Sequence, residues 1–501
     1  MPTSAYDALI IGAGPAGCAA ARLLAAWQHR VLLVDRPGGQ SRTLGESIPP
    51  SAQKILATVG MLAAVEDAGF TPWRGNTVWW ADTPPRVESF ASGTAGYQVV
   101  RRRFDEILRQ LVVQSGADVR TGIVRDVHVP GLGPPTASPE PTATIECDRR
   151  TFEVSATFVL DCSGRAGILA RRGFREEEPS PRTIALAAAW RSSRRFPDVD
   201  ATHTLVASYD DGWAWSVSAS ADERYVTVMI DPARTTLARD AVAREVYLAE
   251  LRKVAPFARL LEGAALVDGP WGADASRYAS SRCAGSDFLL VGDAASFIDP
   301  LSSFGVKKAL ASGWLAAVAT HTALRSPAMR EHALAFFDRR EREIAATAAR
   351  RASEFAADVA AARPHPFWLA RAAGSDDDET ADETNAARLA HDPAVVAAFE
   401  DLRRRPRIRL QPGRAAQFVR GPAVRGTEII MDEQLKLPAW PHGLRYLRNV
   451  DLVALARLAP DHADVGALYG ALVRLQPEVI LPDFLGALSV LIARGALEHS
   501  E

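Results

Sequence analysis

The chain has 501 residues, 48% hydrophobic and 24% charged, with a formal net charge of −2. That length predicts two or three domains of ordinary globular composition. The near-zero charge removes any bulk electrostatic case for nucleic acid or an anionic membrane, and no apolar run approaches the roughly 20 residues that span a bilayer.

The first predicted element is a strand, Asp7–Ile11. Gly12-Ala13-Gly14-Pro15-Ala16-Gly17 follows with G-x-G-x-x-G spacing, then a helical pattern from Cys18 to Trp27. A second strand, Val31–Val34, ends on Asp35, 23 residues after Gly12. Strand, glycine turn, helix and acidic residue in register read as a grip for an adenine dinucleotide. Gly12 permits the tight turn, Gly14 lets the backbone approach a pyrophosphate, and Gly17 lets helix and strand pack closely. The helix start offers free N–H groups and a positive dipole end, and Asp35 is placed for a ribose. Gly12, Gly14, Ala16, Gly17, Asp35 and the adjoining Arg36 are the expected contacts.

Next comes the loop Leu44-Gly45-Glu46-Ser47-Ile48-Pro49-Pro50-Ser51, then a strand over Phe70–Trp80. A helix starts near Val99-Val100-Arg101-Arg102-Arg103-Phe104-Asp105, and a strand ends at Asp161-Cys162-Ser163-Gly164-Arg165. Between 166 and 285, four apolar or alternating runs predict an antiparallel sheet: Thr183–Arg191, Thr202–Tyr209, Trp213–Ala219 and Tyr225–Ile230. His203 falls in it and reads as packed. Asp287–Val291 is a strand ending in Gly292-Asp293. The sequence continues Asp299-Pro300-Leu301-Ser302-Ser303-Phe304-Gly305, and a long helix begins near Val306. A strand–Gly–Asp turn followed by a glycine at a helix start can touch a dinucleotide twice. Asp293 can bond a ribose or ribitol hydroxyl, and the Gly305–Val306 helix start can stabilise a ring that becomes anionic on reduction, which points to a flavin. Asp299 reads as a turn former before Pro300.

Glu331–Ala361 is a long Ala/Arg/Glu helix, and Ser375–Thr384 is an acidic run read as a solvated linker. Three short helical patterns close the chain: Val450–Leu458, Val465–Leu475 and Leu481–Arg494. Their surroundings carry no basic surface, so DNA binding is not expected. The His462, Asp461 and Asp464 group lies there, and docking of a peptide or carrier protein on this module would suit a large substrate. The four cysteines (18, 147, 162, 283) show no C-x-x-C pair and no metal-ligand spacing, so no metal is expected. The first strand begins so near Met1 that no signal peptide is expected, and a cytoplasmic setting is the default.

These segments resemble the FAD fingerprints of the para-hydroxybenzoate-hydroxylase fold, a superfamily of FAD-dependent monooxygenases and halogenases. The resemblance rests on GAGPAG with Asp35, V-x-R-x-x-F-D at Arg101, D-x-S-G-R at Asp161 and Gly164, and GDAASFIDPLSSFG. It covers about the first 330 residues. It implies an α/β fold: a Rossmann-type FAD-binding domain (1–180 with 275–330), a substrate sheet domain (181–274 with part of 70–100), a helical region and linker (331–425), and a small helical or winged-helix-like module (426–501). Glu46, Ser47, Arg101, Asp161, Gly164, Gly292, Asp293, Pro300, Gly305 and Val306 become expected cofactor contacts.

Within the superfamily, GES at Gly45–Ser47 and Trp213-Ala214-Trp215 look like the halogenase branch. Two departures stand out. The proline closing the W-x-W-x-I-P signature is replaced by Ser218, and the strand that carries the halogenases' lysine has none here. Lys54 lies on the preceding helix, and Arg74 is a poor substitute because a guanidinium does not readily lose a proton. The DPLSS-x-G loop is similar to that of flavoproteins that hydroxylate peptide-bound tryptophan in tryptophylquinone biogenesis. The implied reaction is hydroxylation of an electron-rich aromatic through a flavin C4a-hydroperoxide formed with O₂. NAD(P)H would supply electrons directly or through a separate flavin reductase. Halogenation and a geranylgeranyl-reductase-like reaction are the alternatives; a non-enzymatic lipid chaperone would have lost the glycine fingerprint. Glu46 is the candidate acid/base group, or else a structural partner of Arg42 or Arg101. Lys307 or Lys308 would support the reduced ring. Trp79, Trp213, Trp215, Ser303 and Phe304 are expected to line a pocket for a small aromatic or a peptide- or carrier-bound one.

Overall fold

The computed structural model describes residues 6–38, 44–81, 83–132, 140–177, 181–234, 243–373, 389, 392–405 and 407–500. Arg42 and the acidic run lie outside them. Two compact units result, Met1–Asp377 and Asp378–Glu501.

The first unit begins with β1 (Tyr6–Ile11), α1 (Pro15–Ala26) and β2 (Val31–Asp35). Leu9, Ile10, Leu32 and Leu33 are almost wholly buried, as a parallel sheet covered on both faces requires. Two short helices, α2 (Gln53–Thr58) and α3 (Leu62–Asp67), are followed by β4 (Thr71–Trp73), β5 (Gly75–Trp79), β6 (Arg86–Ser89) and β7 (Gly96–Val100). With β3 (Gly45–Ile48), the strands β7 and β4 form a small antiparallel sheet. Helix α4 (Arg101–Gln114) leads to β8 (Asp118–Thr121), β9 (Ile123–His128), β10 (Thr142–Cys147) and the long β11 (Arg150–Asp161). The order β8-β2-β1-β11 is parallel, whereas the first half of β11 pairs antiparallel with β10.

The continuous strand predicted over Phe70–Trp80 is two strands in two sheets. It breaks at Arg74, whose N–H donates to the Thr202 carbonyl. Gly75 follows at the start of β5, where a Cβ would stand 2.1 Å from the Glu88 carbonyl oxygen.

After β12 (Arg175–Glu177), the strands β13 (Ile184–Arg191), β14 (His203–Tyr209), β15 (Gly212–Ser218) and β16 (Glu223–Ile230) match the four predicted runs closely. Helix α5 (Asp198–Thr202) precedes β14. With β17 (Ala265–Asp274) they form a seven-stranded sheet of order β17-β13-β16-β15-β14-β5-β6, antiparallel except for β14 beside β5. Its two faces have different partners. Leu186, Ala188, Trp190, Val226 and Val228 pack with Tyr247 and Phe257 of α6 (Ala243–Lys253) and α7 (Ala255–Leu260). Trp213 and Met229 pack on the opposite side with residues far along the chain.

Strands β18 (Tyr278–Ser280), β19 (Phe288–Leu290) and β20 (Ser296–Phe297) return the chain to the first sheet, where β19 pairs parallel with β11. Helix α8 (Gly305–Arg325) packs on α1. Helices α9 (Arg330–Ala362) and α10 (Pro366–Ala372) follow, and α9 runs 33 residues, one beyond the predicted helix at each end.

In the second unit, α11 (Pro393–Arg404) is N-capped by Asp392. Strand β21 (Leu410–Pro412) pairs with a strand at the chain's end, Leu497–His499. A meander of β22 (Gln417–Arg425), β23 (Glu428–Leu437) and β24 (Trp440–Leu444) precedes the three predicted helices, α12 (Leu452–Leu458), α13 (Val465–Leu475) and α14 (Leu481–Ala493). That meander was not predicted, because its alternation is broken by exposed Phe418 and Ile430 and by buried Gln434. Asp464 accepts from the Ala467 N–H and so caps α13, which accounts for one member of the His462 group.

Candidate active site

The parallel strands end level with one another. Ile11 pairs with Asp161, Val34 pairs with Ile11, and Leu290 pairs with Asp161. Their carboxyl ends therefore present Gly12–Gly17, Asp35, Ser163–Gly164 and Gly292–Asp293 along one edge, where ligands of open α/β sheets bind. Gly12 has φ +103°, and a Cβ there would stand 2.5 Å from the Cys162 carbonyl oxygen. A Cβ on Gly17 would stand 1.9 Å from the Gly12 carbonyl oxygen. At Gly14, by contrast, a Cβ would meet nothing within 4 Å. Helix α1 starts there with Pro15 in its first turn and no side-chain cap. Its first N–H groups are left for a ligand, which suits a pyrophosphate. Ala16 is buried at that turn, and Asp35 Oδ1 accepts from the Ala13 N–H at 3.3 Å. Burial raises the Asp35 pKa, and the Ala13 N–H opposes this. Arg36 is exposed at the rim.

Arg101 opens α4. Its Nε and Nη2 each donate to Asp105 at 3.0 Å, and its Nη1 faces Glu46 Oε1 at 3.4 Å. Of the two partners proposed for Glu46, Arg101 is the one described. Burial holds the Glu46 carboxyl above the ordinary range against the pull of Arg101, and Asp293 and Asp105 add to the rise. Glu46 and Asp293 therefore lie close enough to influence each other across the cleft.

Three expected contacts are spent on the protein itself. Asp161 is fully buried; its carboxylate accepts from Ser163 N and Oγ, Leu169 N and Ala170 N. It shapes the loop that carries Gly164 (φ +63°) and offers no free oxygen to the cleft. The Ser47 hydroxyl is buried against Thr204 Oγ1 of β14 and so ties the Glu46 loop to the seven-stranded sheet. Lys308 is buried, donating to the carbonyls of Gly292 and Ser296, with its Nζ 3.5 Å from Asp293 Oδ1. A cation at a helix start is tolerated there because it bonds carbonyls outside its own helix.

The Asp299–Gly305 loop stands over this edge. Asp299 Oδ1 accepts from the Leu301 N–H across Pro300, as a turn former should. Ser303 adopts φ +52°. Helix α8 then starts at Gly305–Val306 without a side-chain cap, and a Cβ on Gly305 would meet nothing within 4 Å. Lys307 is half-buried. Its Nζ donates to Ser51 Oγ at 3.0 Å and lies 5.1 Å from the centre of the Phe304 ring. Burial, with Arg351 nearby, lowers its pKa.

Trp213 and Trp215 stack at 5.1 Å on the sheet face that also carries Val78, Val206 and Met229, with Phe297 and Leu301 packed against the same cluster. Trp79 is a correction. Adjacent residues on a strand point to opposite faces, and Trp79 packs against Phe257 at 6.4 Å on the far face. Trp80 takes the inner position, 5.5 Å from Trp368. Helices α9 and α10 complete this face, which was not expected from the sequence: Ala356, Val359, Phe367 and Trp368 belong to the same cluster. The signal was the apolar run Pro366-Phe367-Trp368-Leu369 inside a stretch otherwise rich in Ala and Arg. His203 is packed as expected, buried with Nδ1 3.1 Å from Thr77 Oγ1.

A family model described as an FAD binding domain matches residues 5–351. A tryptophan 2-halogenase of Chondromyces crocatus is 30% identical over 349 residues, 67% of this chain and 65% of that protein. A 1H-pyrrole-2-carbonyl-[peptidyl-carrier protein] chlorinase of Pseudomonas fluorescens is 26% identical over 62% of this chain and 74% of its own length. Two solved structures share the fold over nearly the whole chain. One is the flavin-dependent halogenase CmlS, with TM-score 0.80, 23% identity, and coverage of 100% of this chain and 96% of that one. The other is the peptidyl tryptophan dihydroxylase QhpG, with TM-score 0.68, 22% identity, and coverage of 98% and 100%. The open cradle at Gly14, the uncapped starts of α1 and α8, and Asp35 fit FAD. The chain belongs to the FAD binding domain family, in the halogenase-like branch of the FAD monooxygenase superfamily, and is a flavoprotein enzyme.

Proposed function

We propose that the chain halogenates an electron-rich aromatic ring held against the Trp213–Trp215 face. When bound and reduced, FAD would supply the O₂-activating chemistry from which, with a halide ion, hypohalous acid would form. The observation that carries the reading is Lys307. The strands β4 and β5 hold no lysine, but this amine stands at the flavin-loop helix, half-buried, with a lowered pKa. The amine can hold hypohalous acid by hydrogen bonding as an ammonium, or, after losing a proton, can take its halogen with release of water. Ser51 orients the amine, and the aromatic face excludes water that would otherwise consume the reagent. The halogenases among the relatives support this reading.

The proposed cofactor contacts are Gly12, Gly14, Ala16, Gly17, Asp35, Arg101, Gly292, Asp293, Gly305 and Val306. Electrons would come from NAD(P)H, directly or through a separate flavin reductase. The substrate class is a free aromatic or one presented on a peptide or carrier. Hydroxylation is the second reading, favoured by the missing lysine on β4–β5. One experiment separates the two. Reduced holoenzyme is mixed with O₂ and an indole or pyrrole substrate, with and without chloride or bromide, and the products are weighed by mass spectrometry. Halide-dependent replacement of hydrogen by halogen, lost in Lys307→Met while FAD stays bound, supports halogenation. Addition of one oxygen regardless of halide, unchanged in that variant, overturns it in favour of hydroxylation.

A further inference from the structure

One helix grips the Gly292 peptide at both polar atoms. The Gly292 N–H donates to Ser312 Oγ at 2.7 Å, and the Gly292 carbonyl accepts from Lys308 Nζ at 3.1 Å. Lys308 and Ser312 are four residues apart on α8 and so share a face, and both are buried. From α9, Glu341 enters the same interior. It is 1% exposed, and neither carboxyl oxygen has a partner at full hydrogen-bond geometry among the described residues. The groups that favour its charge are the Lys308 ammonium, the Ser312 hydroxyl and Arg340. Its remaining neighbours are poor solvents for an anion. The Cys283 and Cys162 thiols are pushed up by burial, and the charge of Glu341 adds to both shifts. Asp338, one turn earlier, is occupied by the Cys283 N–H and by Arg342. Burial pushes the Glu341 carboxyl up to about 7. A buried carboxylate without full pairing is costly, so this group sits near the point of taking a proton.

We propose that Glu341 is a positioning residue for the cofactor turn: it competes with Asp293 for the Lys308 ammonium, and its protonation state thereby sets how tightly the chain holds FAD. As a carboxylate, Glu341 balances Lys308 and leaves Asp293 available to a cofactor hydroxyl. Once Glu341 is neutral, Asp293 is the remaining carboxylate beside a buried cation and is drawn inward from 3.5 Å. Linkage makes the effect reciprocal, so FAD binding favours release of the Glu341 proton. The inference rests on FAD lying on the Gly292–Asp293 turn and is independent of which reaction follows.

The test is FAD affinity of the apoprotein by flavin fluorescence from pH 6 to pH 8.5. The unaltered chain is expected to bind about tenfold more weakly at pH 6 than at pH 8, as titration of one group near neutrality allows. Glu341→Gln should bind at the weak level throughout, with no slope. A flat profile in the unaltered chain, or the same slope in Glu341→Gln, overturns the inference. A second measurement is the infrared difference spectrum of protein labelled with ¹³C-glutamate in a Glu46→Gln background, which removes the other glutamate held up by burial at the cleft. At pH 6, adding FAD should remove the band of a protonated glutamate, and an unchanged band overturns the inference. Asp293→Asn separates the premise from the inference. Unchanged FAD affinity at pH 8 in that variant means the cofactor does not use this turn. Weakened affinity with a flat pH profile in the parent removes the role of Glu341 alone.

Discussion

Gly313 of α8 lies directly on the backbone of Ala16 in α1. A Cβ at 313 would stand 2.2 Å from the Ala16 carbonyl oxygen and 3.0 Å from the Ala19 side chain. The two helices that present uncapped starts are thus locked by a contact that tolerates no side chain. Gly313→Ala should destabilise the first unit by about 1–3 kcal/mol, the usual cost of overpacking. Gly305→Ala, where a Cβ meets nothing, should leave stability within about 1 kcal/mol but weaken FAD binding, since its Cβ would enter the proposed cofactor space. Calorimetry of the apoprotein with FAD titration checks both. Equal losses of stability would refute the distinction.

Arg101 is held by two carboxylates of unequal grip. Asp105 takes two 3.0 Å bonds, and Glu46 is reached at 3.4 Å. Asp105→Asn should therefore free the guanidinium and weaken FAD binding by about tenfold, or ~1.4 kcal/mol. Glu46→Gln acts through pH. The folded chain raises the Glu46 pKa above 4.5, chiefly by burial. Its contribution to stability is therefore fully present below pH 4.5 and is lost as pH rises through the folded value. Glu46→Gln should remove that loss, so apoprotein stability falls less as pH rises from 4.5. Denaturant titrations at several pH values give the answer, and an unchanged slope would show that Glu46 is not strained by its burial.

The sheet offers a paired test of which tryptophans serve the site. Trp79 is partly exposed beside Phe257 on the outer face, and Trp79→Ala should cost about 0.5–3 kcal/mol of stability, with KM unchanged in the folded molecules. Trp215 is partly exposed to the same degree and stacks on Trp213 on the inner face. Trp215→Ala should raise KM for an aromatic substrate several-fold with a comparable fall in Tm. If the two variants shift KM alike, the division of faces is wrong.

That division marks where the sequence stopped being legible. The Gly12–Gly17 turn, the Arg101 helix start, the four central strands and the Gly305 helix start were readable because each depends on local chemistry: turn glycines, caps and alternation. Trp79 was misplaced because strand parity needs a known register, and the break at Arg74 shifts the register of everything after it. Asp161 and Ser47 carry the right residue types at the right edge, yet their oxygens face the protein. Only the partners, Leu169 and Ala170 for one and Thr204 for the other, reveal it. Gly313 and Glu341 gave no signal at all, since each matters through a helix that arrives from elsewhere in the chain.

His29, at the end of the turn after α1, bonds His321 of α8 through Nε2 and Nδ1 at 2.8 Å, and its other nitrogen stands 3.9 Å from Asp7. Burial lowers the His29 pKa from 6.5, Asp7 opposes this, and Arg325 adds to it. A depressed histidine favours folding while neutral. Its contribution is present above the unfolded value near 6.5 and is lost as pH falls from there toward the folded pKa. His203 is shifted the same way, again chiefly by burial, within the seven-stranded sheet. As pH falls from 7 toward 5 the two histidines remove stability while the raised carboxyls of Glu46 and Glu341 restore it, so the histidine contribution is read as a difference: relative to the parent, His29→Gln should lose less, or gain more, over that range while starting lower at pH 7 for want of the neutral pair. The second clause matters, because a variant that is merely less stable would shift the whole curve without changing its slope. Chemical denaturation at pH 7, 6 and 5 distinguishes the two, and parallel curves would mean that the His29–His321 bond survives protonation, with Asp7 taking up the charge.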